Sequence, residues 1–327
     1  MDKFIAQQSW DENDFEKLTL DVFAFQAQYN EVYKKYITLL NRNISSVKKI
    51  NDIPFLPVEL FKNHSIKTGK WEAQKMYRSS NTTSTQSSQH FIRDEQFYLR
   101  NAWQNFLNQY PQFQKGCIIG LLPSYLERND ASLVAMVNYF MQQTKNLHNG
   151  FYLNEWKKLD ETINTCISKN VPTLLFGVTF ALLEWVQNSS VDKLNNNIII
   201  METGGMKGRK SIMPRFEVHN KIKTRFALQA IHSEYGMTEL FSQAYAKSEG
   251  IFQPCNTMKV LPREVNDPLS IAKFRKNAAL NIIDLLNIDT CSFIATEDVG
   301  KVYENGDFEV SGRLDAADIR GCNLMVI

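Results

Sequence analysis

The chain has 327 residues, 43% of them hydrophobic, and its 37 basic and 35 acidic side chains leave a formal charge of only +2. That supplies a sizeable core, in one large domain or two medium ones, and gives no electrostatic case for nucleic acid or an acidic membrane surface. The first ten residues lack an apolar signal core, and no uninterrupted apolar stretch reaches the roughly 20 residues of a membrane span. Five widely spaced cysteines (Cys117, Cys166, Cys255, Cys291 and Cys322) and five histidines without a His-x-x-x-His pair point to a reducing cytoplasm. They argue against both a disulfide framework and a zinc centre.

Residues 11–42 repeat apolar positions at helical spacing and predict one or two amphipathic helices, with Phe15, Leu18, Val22, Phe25, Tyr29 and Val32 on the packed side. Asp52 to Pro57 is extended, because each proline restricts itself and the residue before it. A helix is expected over 94–108, a buried strand over 117–123, and a helix over 130–142 capped by Asn129 or Asp130. The runs Val171–Val178, Asn197–Met201 and Phe226–Ile231 read as further strands with helices between them, and Leu240–Ser248 as a helix. Apolar strands alternating with helices predict an α/β fold with a mostly parallel, helix-covered sheet. After about residue 255, shorter strands at 279–285, 291–296 and 299–303 lead to a hairpin at Glu304-Asn305-Gly306-Asp307. They predict a small antiparallel subdomain.

Two segments carry recognisable chemistry. Tyr235-Gly236-Met237-Thr238-Glu239 packs a ring, a flexible turn, a hydroxyl and a carboxylate into five residues. At a strand end, such a turn offers a surface for a flat ring, close backbone approach, a phosphate contact and a ligand for a hard cation. An ordinary tight turn capped by Thr238 accounts for the same residues equally well. The hydroxyl-rich loop Tyr77 to His90, with Ser80, Thr82 and Thr83, has the composition to cradle phosphates or to be a polar surface loop.

In order along the chain these segments resemble the motifs of adenylate-forming enzymes, the superfamily of acyl-CoA synthetases, luciferases and nonribosomal adenylation domains. The loop resembles their Ser-Gly-Thr-Thr-Gly loop, and Tyr235–Glu239 their aromatic-Gly-x-Thr-Glu motif. Thr296-Glu297-Asp298 resembles their Thr-Gly-Asp, and Gly312-Arg313-Leu314-Asp315 their hinge. Within the superfamily, Ile53–Pro57, Glu202-Thr203-Gly204-Gly205, His232–Glu239 and Asp318–Cys322 resemble the acyl-protein synthetases of the bacterial luminescence fatty-acid reductase system.

The resemblance implies a large-domain core over 1–311, divided into α/β subdomains to about 255 and a β-rich part over 256–311, then a hinge and tail over 312–327 without a lid domain. It implies that Gly204 and Gly205 pass beside an adenine on which Tyr235 stacks. Gly236 admits the nucleotide, Thr238 contacts the α-phosphate and Glu239 holds Mg²⁺. Asp298 accepts the ribose hydroxyls and Arg313 reaches the same sugar. ATP and a carboxylic acid, in this family a fatty acid, are the implied substrates. Cys322 is the implied acyl acceptor, and an acyl reductase or acyl carrier protein the implied partner.

The loop departs from the family pattern, with Asn81 and Ser84 standing where the family has glycine and no counterpart before His90 of the family loop's usual Lys or Arg. Two alternatives therefore stay open: a degenerate core that binds nucleotide or acyl groups without catalysis, and an acyltransferase fed by acyl-CoA or a carrier. The segment Val171–Phe180 resembles the family's acyl-channel lining, or is a core strand entering a helix.

Overall fold

The computed structural model describes residues 11–79, 87–122, 130–152, 154–204 and 213–314. Contacts divide the chain into two compact units, one made of residues 1–72 and 256–327 and the other of residues 73–255.

The first unit opens with helices α1 (Glu12–Tyr29) and α2 (Glu31–Leu39). Asp11 and Asn30 cap them, each side chain accepting from backbone N–H groups of the first turn. The buried stripe of α1 is Phe15, Thr19, Val22, Phe23, Gln26 and Ala27. Phe25 and Tyr29, expected inside, are 40% and 50% exposed. The helix is turned because Gln26 is satisfied in the interior: its amide donates to the carbonyls of Asn287 (2.9 Å) and Ile288 (3.0 Å) and accepts from the Ser292 N–H (2.9 Å). A short strand β1 (Leu56–Pro57) and a helical turn α3 (Leu60–Asn63) complete this stretch.

The second unit begins with the antiparallel ribbon β2 (Lys75–Arg78) and β3 (Gln89–Ile92). There follow α4 (Glu95–Gln109), β4 (Cys117–Leu121), α5 (Ser132–Thr144), β5 (Gly150–Phe151), α6 (Trp156–Ser168), β6 (Thr173–Val178), α7 (Thr179–Asn188), β7 (Ile198–Thr203) and α8 (Arg215–Phe226). The last strands are β8 (His232–Tyr235), β9 (Ala244–Ala246) and β10 (Ile251–Pro254). Strands β5-β4-β6-β7-β8 run parallel in that order, and β9 and β10 continue the sheet antiparallel. Every residue of β4 and β6 is buried, as a central strand covered on both faces requires. Helix α5 packs on β4, and α7 on β6 and β7.

Three expectations fail here. The apolar run Phe226–Ile231 is no strand: Phe226 ends α8, Ala227 stops it in the left-handed region (φ 56°), and the strand starts at His232. Leu240–Ser248 is no helix, because Ala244–Ala246 is fully buried and pairs with β8. Cross-strand pairing there overrides local propensity. Helix α5 starts at Ser132 after Ala131, without a side-chain cap from Asp130; Asn129 lies outside the described residues.

The chain then returns to the first unit as an antiparallel meander, β11 (Met258–Arg263), β12 (Ala278–Asp284), β13 (Phe293–Val302) and β14 (Phe308–Arg313). Strand β1 joins β13 in parallel. The expected separate strands at 291–296 and 299–303 are one strand, β13, with a register shift at Val299/Gly300. The Asn305-Gly306 turn closes the β13–β14 hairpin, Tyr303 N–H donating to Asp307 O at 2.8 Å.

Candidate active site

In the parallel sheet the chemistry gathers at the carboxyl ends of β6, β7 and β8, where open α/β sheets take their ligands. The register pairs Glu202 with Ser233 and Thr203 with Glu234, so the first pair faces one side of the sheet and the second the other. On the first side the Glu202 carboxylate accepts from Thr179 Oγ1, at the start of α7, and from Ser233 Oγ at 3.4 Å. His219 Nε2 and Arg215 Nε, both from α8, each lie 3.6 Å from Glu202 Oε2. Burial pushes the Glu202 pKa up, but His219, Arg215 and Thr179 outweigh it and hold the carboxyl below its usual value. One ionised carboxylate thus ties the ends of three strands to two helices.

Strand β7 is followed by Gly204, at φ +77°, exposed and with nothing among the described residues within 4 Å of where a side chain would start. A left-handed exit into open space suits backbone that runs beside a ligand. Strand β8 ends in Tyr235, whose ring meets Phe252 edge-on at 5.8 Å and whose hydroxyl lies 3.6 Å from Met237 Sδ. The turn that follows is closed by Leu240 N–H on the Met237 carbonyl (3.1 Å). It exposes Gly236, half-buries Thr238 and buries Glu239, which is 5% exposed.

The turn is fastened to the stem of the hydroxyl-rich loop. His90, opposite Tyr77 in the β2–β3 ribbon, donates from Nδ1 to the Thr238 carbonyl at 2.7 Å and lies 4.9 Å from the Phe241 ring. Burial lowers its pKa to about 4 despite that bond, so the ring is neutral with its proton on Nδ1. The loop stem is closed by Ser79 N–H on Ser88 O (3.1 Å) and Ser88 N–H on Ser79 Oγ (3.0 Å). Ser80, Thr82 and Thr83, the loop residues given phosphate roles above, lie outside the described residues, as do Gly205 and Cys322.

In the other unit, Asp298 on β13 pairs in register with Arg313 on β14. Arg313 Nε donates to Asp298 Oδ1 at 3.1 Å, and Arg313 Nη1 stands 3.9 Å from Glu297 Oε2. Asp298 is 6% exposed, while the Arg313 side chain is 43% exposed. The arrangement sets a carboxylate beside a fork of donors, a pair that can accept from and donate to vicinal hydroxyls.

Among the described residues no group of three or more His, Cys, Asp or Glu side chains could hold a metal. A buried carboxylate such as Glu239 fits Mg²⁺, which takes one or two protein carboxylates and completes its shell with substrate phosphates and water. His90 and Glu202 acquire structural roles that motif reading does not give. For Glu202 the available signal is an ionisable residue near the end of the apolar strand Ile198–Thr203.

No family model and no curated protein matches the sequence. Solved structures do match. ATP-bound MatB from Rhodopseudomonas palustris aligns with TM-score 0.54 at 13% identity, covering 75% of this chain and 49% of that one. O-succinylbenzoate coenzyme A synthetase (MenE) from Bacillus subtilis, in complex with ATP and magnesium ion, aligns with TM-score 0.53 at 14% identity, over 75% and 51%. An open conformation of 2-hydroxyisobutyryl-CoA ligase, in complex with 2-HIB-AMP and CoA, aligns with TM-score 0.64 at 9% identity, over 93% and 70%. The chain spans about half the length of the MatB and MenE structures. It has the mixed α/β fold of the adenylate-forming ligase core. No helix among the described residues is long and apolar enough to cross a membrane.

Proposed function

We propose that this chain is an ATP-dependent acid–thiol ligase of the adenylate-forming type, acting in the cytoplasm on a carboxylic acid, with a fatty acid as the expected class. The observation that carries the reading is the Tyr235–Glu239 turn, set at the end of the last parallel strand and fastened by His90 to the stem of the hydroxyl-rich loop. In the first half-reaction a carboxylate oxygen of the acid attacks the α-phosphorus of ATP, the Pα–O bond to the β-phosphate breaks, and pyrophosphate leaves. In the second a thiolate attacks the acyl carbon and AMP leaves with the bonding electrons of the C–O bond.

This chain's residues orient that chemistry. Tyr235 and the Gly204–Gly205 backbone flank the adenine. Thr238 donates to the α-phosphate, and Asp298 with Arg313 takes the ribose hydroxyls. Mg²⁺, when bound, neutralises phosphate charge in the transition state, and Glu239 would hold it. Cys322 is the proposed acyl acceptor, with a reductase or carrier protein downstream. MatB, MenE and the hydroxyisobutyryl ligase support the first half by their ATP, magnesium and acyl-AMP complexes.

ATP–pyrophosphate exchange over a panel of short, aromatic and long-chain acids tests the reading. Exchange with at least one acid, abolished in Glu239→Ala, is expected; no exchange with any acid refutes it. Mass spectrometry of the chain after turnover, with Cys322→Ser as control, tests the acceptor. Asn81 and Ser84 at the loop's glycine positions favour a second reading, a nucleotide- or acyl-binding module without turnover. Calorimetric binding of a stable acyl-adenylate analogue without exchange would select it. A third, acyl transfer from acyl-CoA or a carrier, predicts labelling by acyl-CoA in the absence of ATP.

A further inference from the structure

Glu234 is given no role above, and its surroundings are unusual for a carboxyl group. It is 6% exposed at the last-but-one position of β8. Its Oε2 accepts from Thr203 Oγ1 at the end of β7. Its Oε1 lies 2.4 Å from the place a Cβ would take on Gly236. The carboxyl therefore fills the space beside Gly236, and a side chain there would have to displace it, with no demand from a positive φ. One side chain touches both strand ends from which the proposed nucleotide surfaces, Gly204 and Tyr235–Thr238, emerge.

The electrostatics separate Glu234 from Glu202. Glu202 faces Arg215 and His219 on its own side of the sheet. Glu234 faces the opposite side, where its in-register neighbours are Thr203 on β7 and Tyr245 on β9. The titratable groups that influence it are Glu202, through the sheet, and Tyr245, whose buried hydroxyl has no hydrogen-bond partner among the described residues. Both are acids, so neither offsets a negative charge on Glu234. Burial, aided by Glu202 and opposed by the Thr203 bond, raises the Glu234 pKa to about 7. Two carboxyls on adjacent strands are thus sorted, Glu202 held ionised beside Arg215 and His219 and Glu234 left near balance.

We infer that Glu234 is a positioning residue for nucleotide binding: its carboxyl pins the Tyr235–Gly236 turn to the end of β7, and its protonation sets how tightly that turn takes an anionic nucleotide. Neutral, it bridges Thr203 and the turn without placing charge beside the phosphate. Ionised, it adds an uncompensated buried charge of the same sign as the ligand. The inference rests on the nucleotide reading above.

The test is calorimetric AMP binding from about pH 6 to about pH 8.5, for the wild type and Glu234→Gln, with circular dichroism confirming the fold of each. Titration of AMP itself is common to both proteins and cancels in the ratio of their affinities. Across this range the wild type is expected to lose roughly fivefold to tenfold in affinity relative to the variant, the size of one like-charge interaction near a protein surface. A carboxyl that merely fills space predicts a flat ratio, because glutamine has the same shape. A second arm needs no titration. Gly236→Ala should weaken AMP binding strongly alone and much less in a Glu234→Ala background, a coupling that a double-mutant cycle reads directly. A flat ratio together with additive single effects overturns the role of Glu234 while leaving AMP binding intact. AMP failing to bind either folded protein at any pH overturns the nucleotide reading, and this inference with it.

Discussion

His90 offers a quantitative test of how the Thr238 turn is held. The ring is fully buried, donates from Nδ1 to the Thr238 carbonyl at 2.7 Å, and has its pKa lowered to about 4 from an ordinary 6.5. A folded-state pKa below the unfolded one means that folding favours the neutral ring. The contribution is fully present above about pH 6.5 and is lost as pH falls through that window toward 4. Each pH unit there costs about 1.4 kcal/mol, so about 3 kcal/mol disappears in all. His90→Gln keeps a donor but cannot take up a proton. It should cost about 1 kcal/mol at neutral pH and remove one proton from the acid dependence. His90→Leu leaves the Thr238 carbonyl unpaired and should cost about 1–3 kcal/mol more at neutral pH. His232, lowered to about 4 by burial and then by Lys247, has its own acid dependence, which both variants retain. Urea unfolding at a series of pH values reads these terms as differences between proteins. If His90→Gln loses stability below pH 6.5 as steeply as the wild type, the ring is not held neutral in the fold and the argument for the turn fails.

Two further outcomes follow from local geometry. Asp160 on α6 is 3% exposed and accepts from Trp185 Nε1 (2.9 Å), Ser189 Oγ (2.8 Å), Ser190 N–H (2.6 Å) and Ser190 Oγ (2.8 Å). Asp160→Ala should destabilise by about 3 kcal/mol in chemical denaturation, because the buried Trp185 N–H and the donors of Ser189 and Ser190 lose a shared acceptor; a change under about 0.5 kcal/mol would contradict that network. Gly204→Ala meets no neighbour among the described residues but must hold φ +77°. It should lower stability by about 1 kcal/mol, and Gly204→Asn by less, as thermal melts will show; equal melting points for both would mean the turn relaxes to another conformation.

The motifs were legible where chemistry dictates the residue. Asp298 and Arg313, fifteen positions apart, fall opposite each other because the Asn305-Gly306 turn sets the hairpin register and the shift at Val299/Gly300 then moves it by one residue. The parallel strands at 173–178 and 198–203 were readable from continuous apolar runs. Reading failed where tertiary pairing or burial of a polar group decided the outcome. Ala244–Ala246 has helical composition yet pairs with β8. The face of α1 is set by Gln26, whose partners lie more than 260 residues away. No periodicity in the local sequence encodes such a contact. Glu202 and Glu234 were visible as motif letters, but their opposite electrostatic fates depend on which side of the sheet each faces and on the cations of α8.

The polar clasp on α1 and α2 also bears on how the chain matures. Gln26 and Asn30 form interior hydrogen bonds with the backbone at Asn287–Ser292, which is synthesised 260 residues or more after them. Residues 73–255 form a contiguous unit and can close while synthesis continues. Helices α1 and α2 cannot complete these bonds until the segment after β12 has emerged, so they wait with an incomplete partner surface while residues 73–255 are made. Contacts of such sequence separation close slowly, and domains generally fold as units during synthesis. Residues 11–72 therefore complete their packing after residues 73–255, and truncations beyond β11 should leave them unfolded beside a native 73–255.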